Sequence, residues 1–102
     1  HKMLRETPPA DWPDFAEAAK ILHISEPTLR RHLQADGMSY SSLKEELRRQ
    51  YALSWLQESD KSVGVIAAEL GYAEPSAFHR AFKKWTGTSP ALYRSSRLER
   101  EI

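Results

Sequence analysis

The chain contains no cysteine. Disulfides and thiolate metal sites are therefore excluded, and a reducing cytoplasm is compatible with the composition. No apolar run reaches roughly 18 residues, so no segment is expected to span a membrane. Glycine is scarce, at four of 102 residues, and no glycine-rich phosphate loop is present. The four histidines, His1, His23, His32 and His79, form no ligand pattern such as HExxH. The opening His1-Lys2-Met3-Leu4 turns polar at once. That is no signal peptide; it reads as a cut end, and the chain is expected to be a fragment. Its length suits one compact domain or two small halves sharing a core.

Charge of one sign is also lacking overall, because the net charge is only +1. Its distribution is uneven. From Phe78 to Arg100 the bases Arg80, Lys83, Lys84, Arg94, Arg97 and Arg100 face a single acid, Glu99, for a local balance of +5. Asp11, Asp14, Glu17, Asp36, Glu45 and Glu46 lie earlier. A basic C-terminal half is either a phosphate-binding face or a solvated helical surface.

Strand-like alternation is scarce and apolar residues recur at helical spacing, which predicts an all-α fold. A first helix ends near Glu6, before Pro8 and Pro9. A second opens after Asp11 and Pro13 and runs to about Leu22, with Phe15, Ala18, Ala19 and Leu22 on its apolar face. A third has Ser25 as N-cap, Pro27 in its first turn and Gly37 as a left-handed terminator. The fourth and longest runs from Tyr40 to Glu58 behind Ser39, with Leu43, Leu47, Tyr51 and Trp55 four apart on one face. It should measure about 28 Å. Ser62 caps a fifth helix, Val63 to Leu70, whose inward residues are Val63, Ile66, Ala67 and Leu70. A sixth runs from about Glu74 to Trp85 and is closed by Gly87. Ser89 and Pro90 start a short seventh around Leu92 and Tyr93.

The chain repeats itself. Ala19 and Leu22 match Ala67 and Leu70, 48 positions on, and Leu29, Arg31 and Leu33 match Phe78, Arg80 and Phe82, 49 positions on. The offset grows by one inside the turn, where the second copy is a residue longer. Each copy is a short helix with a small alanine, a tight turn, and a second helix. This is the layout of a helix-turn-helix, whose second helix can enter the major groove. One copy alone would read as a plain helical hairpin; two copies joined by a stiff helix favour DNA binding.

At about 100° per residue, each second helix sorts into faces. In the first copy Leu29 and Leu33 point to the core, while Pro27, Arg31 and Gln34 lie opposite, flanked by Arg30. In the second, Phe78, Ala81, Phe82 and Trp85 form the core stripe. Ser76, Arg80 and Lys83 lie opposite, flanked by His79 and Lys84. Both outward faces carry an arginine at the equivalent place, a side chain able to grip guanine O6 and N7 together.

The residues Ile66, Ala67, Gly71, Tyr72, Phe78, Arg80, Phe82, Lys83, Gly87, Ser89, Pro90, Tyr93 and Arg94 resemble the C-terminal signature of the AraC/XylS transcription regulators. The stretch from His23 to Leu33 is a looser match, and the resemblance covers about Pro13 to Arg94. It implies two helix-turn-helix subdomains, residues 1–38 and 60–102, joined by a linker helix within 39–59, with about seven helices in all. It implies that both second helices face one side of the duplex. Successive major-groove faces lie roughly 34 Å apart, which the linker's length approaches. Carried over from the motif, base-reading positions fall on Pro27, Arg30 and Arg31, and on Ser76, Ala77, His79 and Arg80. Facial geometry adds Gln34, Lys83 and Lys84 as contacts to base or phosphate.

Some positions depart from the pattern. His23 stands where the second turn has glycine, so the first turn's backbone is expected to differ. Ala73 stands where a capping Ser or Asp is usual, which weakens that helix start. Pro27 and Ala77 can touch thymine methyls at most, so the second unit is expected to be less specific or to lean on DNA shape. The resemblance further implies a double-stranded operator as partner and, by analogy, RNA polymerase in activation. A small-molecule effector would act only through a domain outside this chain. No cofactor, metal or membrane is expected, and the fragment is expected to be monomeric, cytoplasmic and nucleoid-associated.

Two other classes compete. An enzyme is disfavoured: the serines lack a partner base, and Glu45 and Glu46, adjacent on a helix, do not face each other and serve its solvated side. A helical protein-interaction module would use Trp12, Trp55 and Trp85 as anchors. Trp55 and Trp85, however, fall on apolar stripes and are expected in the core. Trp12, just before a helix, is either a staple or an exposed contact.

Overall fold

The computed structural model describes the backbone of residues 2–101 and the side chains of residues 3–96. The side chains of Arg97, Glu99 and Arg100 in the basic run, and those of His1 and Lys2, lie outside the described residues. The described chain is helical without strands: α1 (Lys2–Glu6), a 3-10 turn (Pro9–Asp11), α2 (Phe15–Ile21), α3 (Glu26–Ala35), α4 (Tyr40–Glu58), α5 (Val63–Glu69), α6 (Pro75–Thr86) and α7 (Pro90–Glu101). The molecule measures 51 × 23 × 22 Å.

Local chemistry sets most of these boundaries. Ser25 accepts from the Thr28 amide, Ser62 from the Val65 amide, and Ser39 shares a reciprocal capping box with Ser42. Each satisfies an amide that the helix itself leaves unpaired. Asp14, rather than Asp11, caps α2 by accepting from the Glu17 amide at 2.8 Å; Asp11 instead ends the 3-10 turn. Gly37 and Gly87 leave α3 and α6 in the left-handed region, at φ +72° and +81°. α7 is much longer than its pattern predicted. Ser89 accepts from the Leu92 amide, and nothing breaks the helix before Glu101.

Two apolar cores sit along α4. The first holds Leu4, Ala18, Ala19, Leu29, Leu33, Leu43 and Leu47. The second holds Ala52, Leu56, Ile66, Ala67, Leu70, Phe78 and Phe82. The linker helix contributes to both, and its buried line shifts between them. Leu43 and Leu47 continue as Ala52 and Leu56, not as Tyr51 and Trp55. Those two aromatics are half-buried and stack on each other at 5.4 Å. Trp85 is likewise half-buried. A 100° helical step explains the shift: the five-residue step from Leu47 to Ala52 carries the buried line about 140° round the helix, so the two cores lie on roughly opposite sides of α4 and Tyr51 and Trp55 fall between them.

Leu22 departs from expectation. It is 44% exposed, whereas its repeat counterpart Leu70 is fully buried. The difference follows the N-terminal segment. Leu4 enters the first core, but the 3-10 turn packs on α5, so it covers the second unit's turn. Trp12 fastens the segment, its indole N–H lying 2.8 Å from the Leu4 carbonyl and 3.0 Å from that of Thr7. Trp12 is half-buried, a staple and not an exposed anchor.

Candidate nucleic-acid interface

The two helix-turn-helix units close their turns in the same way. In the first, the Ile24 amide donates to the Ala19 carbonyl and the His23 amide to Lys20. In the second, the Tyr72 amide donates to Ala67 and the Gly71 amide to Ala68. His23 sits at φ +59° and Gly71 at φ +94°, so both occupy the left-handed region. The expected difference in backbone is therefore absent: His23 accepts a conformation that costs a side chain about 1 kcal/mol or more. Ala18 and Ala19 in α2, and Ala67 in α5, are buried and let the paired helices approach.

The extra residue of the second turn is Ala73, and it precedes the cap. The N-cap of α6 is Glu74, which makes no side-chain cap bond to the helix. The weakened start expected at Ala73 is thus real but belongs to Glu74, the counterpart of Ser25. The Glu74 carboxylate instead accepts from the Ser76 hydroxyl at 3.4 Å.

Nine of the ten residues singled out from sequence are exposed: Pro27, Arg30, Arg31 and Gln34 on α3, and Ser76, His79, Arg80, Lys83 and Lys84 on α6. Ala77 is half-buried. The opposite faces hold Leu29 and Leu33, and Phe78 and Phe82. Phe78 and Phe82 meet edge-on at 5.8 Å, and Tyr93 meets Phe82 at 5.5 Å. The outward face of α6 is therefore backed by rigid aromatic packing.

The two matched arginines differ in their surroundings. Arg31 donates to the Thr28 hydroxyl at 3.2 Å, and that oxygen also accepts from Ser25 at 2.8 Å. The guanidinium is drawn toward the start of α3. The side chains of Arg80 and Lys83 have no hydrogen-bond or ion-pair partner among the described residues. Arg30 lies over the Phe15 ring at 5.3 Å. With Gln34 it borders an open cleft of about 480 Å³ between α3 and the start of α4. Lys84 is 3.7 Å from Glu45 while remaining 76% exposed, a screened pair that leaves the ammonium accessible. His32, beside Leu33 on α3, is exposed.

Two expectations about charge are corrected. Arg94 is not a solvated side chain of the basic run: it is half-buried and donates to the carbonyls of Leu56, Trp55 and Ser59, each at 3.3 Å. Glu45 does not simply face solvent: it accepts from the Trp85 indole at 2.9 Å and so joins α4 to α6. Sequence reasoning also passed over Arg48. Its Nε donates to the Leu70 carbonyl at 3.0 Å, and its guanidinium carbon lies 5.2 Å from the Trp12 ring and 5.6 Å from that of Tyr72. A lone arginine in the middle of a charged helix carries no sequence signal of such a role. Among the described residues no group of His, Asp or Glu is arranged to hold a metal ion, and no helix is long and apolar enough to cross a membrane.

A family model described as a helix-turn-helix domain matches residues 18–96. The chain belongs to the AraC-type helix-turn-helix family. It is 41% identical over 88 residues to the ornithine utilization regulator of Pseudomonas aeruginosa, covering 86% of this chain and 26% of the relative. The chain thus spans about a quarter of the length of the curated relatives it matches. Its fold matches a DNA-binding transcriptional dual regulator of Escherichia coli K-12, with TM-score 0.87, 26% identity and coverage of 96% of this chain and 87% of that one. It also matches the DNA-binding domain of AdpA, a global transcriptional factor solved with a target DNA. There the TM-score is 0.80 at 27% identity, covering 89% of this chain and 83% of that one.

Proposed function

We propose that this chain is the sequence-specific DNA-binding domain of a bacterial transcription regulator, and that α3 and α6 enter successive major grooves of one operator. The observation that carries this reading is the pair of outward arginines. Arg31 and Arg80 occupy equivalent places on two exposed second helices, each anchored behind by its own core. A long axis of 51 Å accommodates groove faces about 34 Å apart. Residues 1–38 and 60–102 act as the two reading units and 39–59 as the spacer. Pro27, Arg30, Arg31 and Gln34 meet one groove; Ser76, Ala77, His79, Arg80, Lys83 and Lys84 meet the next. The domain works by binding alone, without catalysis or cofactor, as a cytoplasmic monomer. Effector control would come from elsewhere in a longer protein, and RNA polymerase is the partner in activation.

Selection of random duplex DNA by the purified chain, with affinity followed at two salt concentrations, tests the reading. Two enriched blocks about one helical turn apart are expected, with affinity falling steeply as salt rises because neutralised phosphates release counterions. No enrichment together with salt-independent binding would overturn it and favour a protein-interaction module. Arg80→Ala should cost about 1–3 kcal/mol and relax one base position, as should Arg31→Ala. Lys83→Ala should weaken all sequences alike and lower the salt slope by about 1.

A further inference from the structure

Arg48 lies on α4 between the two sets of core residues, directly after Leu47 and one turn before Ala52. It touches both helix-turn-helix units at their edges. Trp12 stands two residues before Asp14, the cap of α2. Leu70 and Tyr72 flank Gly71, the turn glycine of the second unit. One guanidinium therefore bonds the carbonyl of Leu70, the C-cap of α5, and lies within cation–π reach of an aromatic from each unit.

The N-terminal segment reinforces the same junction. Leu4 is buried in the first core, and the Tyr51 hydroxyl donates to the Arg5 carbonyl at 3.3 Å. The Pro9 carbonyl then approaches the second turn so closely that a Cβ on Gly71 would lie 3.3 Å from it. Residues 4–12 thus form a strap that begins in the first unit, crosses α4 and ends against the second, and Arg48 pins the strap's Trp12 and the second turn to one point. The two cores share no fully buried residue, only the half-buried Tyr51, and this junction joins the units directly, beside the contacts that Trp85 and Arg94 make from the second unit to α4.

We infer that Arg48 is a positioning residue that, with the Trp12 strap, sets the spacing and rotational phase between the two recognition helices, and hence which separation of half-sites the domain accepts. The inference rests on the proposed dual-groove reading. The geometry is demanding, because one added base pair moves a half-site by about 3.4 Å along the axis and turns it by about 35°. A planar guanidinium can lie on rings and donate at a fixed angle; an ammonium or a thioether cannot do both.

The test compares the unaltered chain with Arg48→Met in selection from random duplex DNA, followed by affinities on the selected site with one base pair inserted or removed between its blocks. The unaltered chain should show one sharp spacing and lose about tenfold or more on either change. Arg48→Met should enrich the same two blocks over a broader range of spacings, with the loss reduced to about threefold or less. An equal spacing penalty in both proteins would overturn the inference while leaving dual reading intact. A single enriched block, or none, with the unaltered chain would overturn the dual reading and the inference with it. A merely structural role would lower affinity equally at every spacing. Should Arg48→Met fail to fold by circular dichroism, Arg48→Lys, which keeps the charge and the stem, is measured in the same way against the same outcomes.

Discussion

The two basic residues most visible in the family-like signature have opposite fates. Arg80 is exposed, while Arg94 turns inward to the end of α4. The last turn of α4 contains no basic residue of its own, so Arg94 supplies from α7 the positive charge that a helix C-terminus favours. Arg94→Ala should therefore lower unfolding stability by roughly 1.5–3 kcal/mol, the range for hydrogen bonds to charged groups. Urea titration measures this, and the folded variant should keep the DNA sequence preference of the parent. Loss of that preference with unchanged stability would mean that Arg94 reads DNA. Nothing in its sequence surroundings separates it from Arg80; only the fold shows which carbonyls it meets.

Among the elements, α6 is the second helix of a helix-turn-helix unit with the stronger apolar backing and the weaker start. Phe78 and Phe82 are fully buried, yet Glu74 leaves the first-turn amides without a side-chain acceptor. A shorter carboxylate reaches them, as Asp14 does at the start of α2. Glu74→Asp should raise stability by about 1 kcal/mol, seen as a higher urea midpoint with an unchanged slope. No gain would show that the first turn of α6 is already satisfied by water. Element boundaries were otherwise well marked in sequence, because Ser25, Ser39, Ser62, Gly37 and Gly87 act within their own turns. The exposure of Leu22 has a long-range cause. Leu22 and Leu70 have the same local pattern, but only the turn after Leu70 meets the strap.

Across the whole molecule, each unit is tied to α4 by a tyrosine or its neighbours. The Tyr40 hydroxyl donates to the Pro13 carbonyl at 2.6 Å, and Tyr72 lies beside Phe78 at 5.6 Å and beneath Arg48. Burial raises the pKa of Tyr40 above 10.0, with Asp14 adding to the rise. Burial likewise raises that of Tyr72, against the opposing charge of Arg48. A folded pKa above the unfolded one means that the folded state holds the proton longer. The stabilisation is complete below pH 10.0 and is lost as pH rises through the folded values. Lys44 works in the other direction. Burial, then Arg48, lowers its pKa below 10.5, so its charged form costs stability that is recovered as pH climbs toward that value. Thermal melts should therefore fall in temperature above about pH 10, the unfolded phenol value, and Tyr40→Phe should make that decline shallower. An unchanged decline would mean that Tyr40 does not carry it.

The path from residues to architecture was short wherever a single element decided the matter. Helical spacing placed the seven helices, though not the length of α7; serine caps opened and left-handed glycines closed several of them, and the 48- and 49-residue offsets exposed the duplicated unit. The outward faces of α3 and α6 followed from rotation per residue alone, and nine of the ten candidate contacts are exposed there. What links the units was hidden, because it depends on groups distant in sequence. Arg94 reaches Leu56 across 38 residues, Trp85 reaches Glu45 across 40, and Tyr51 reaches Arg5 across 46. A charged side chain in a solvated helix and one that bridges two cores look alike in one dimension. Periodicity reports which side of a helix is apolar, but only packing decides what stands opposite it, and that choice fixes how the two helix-turn-helix units are held relative to each other.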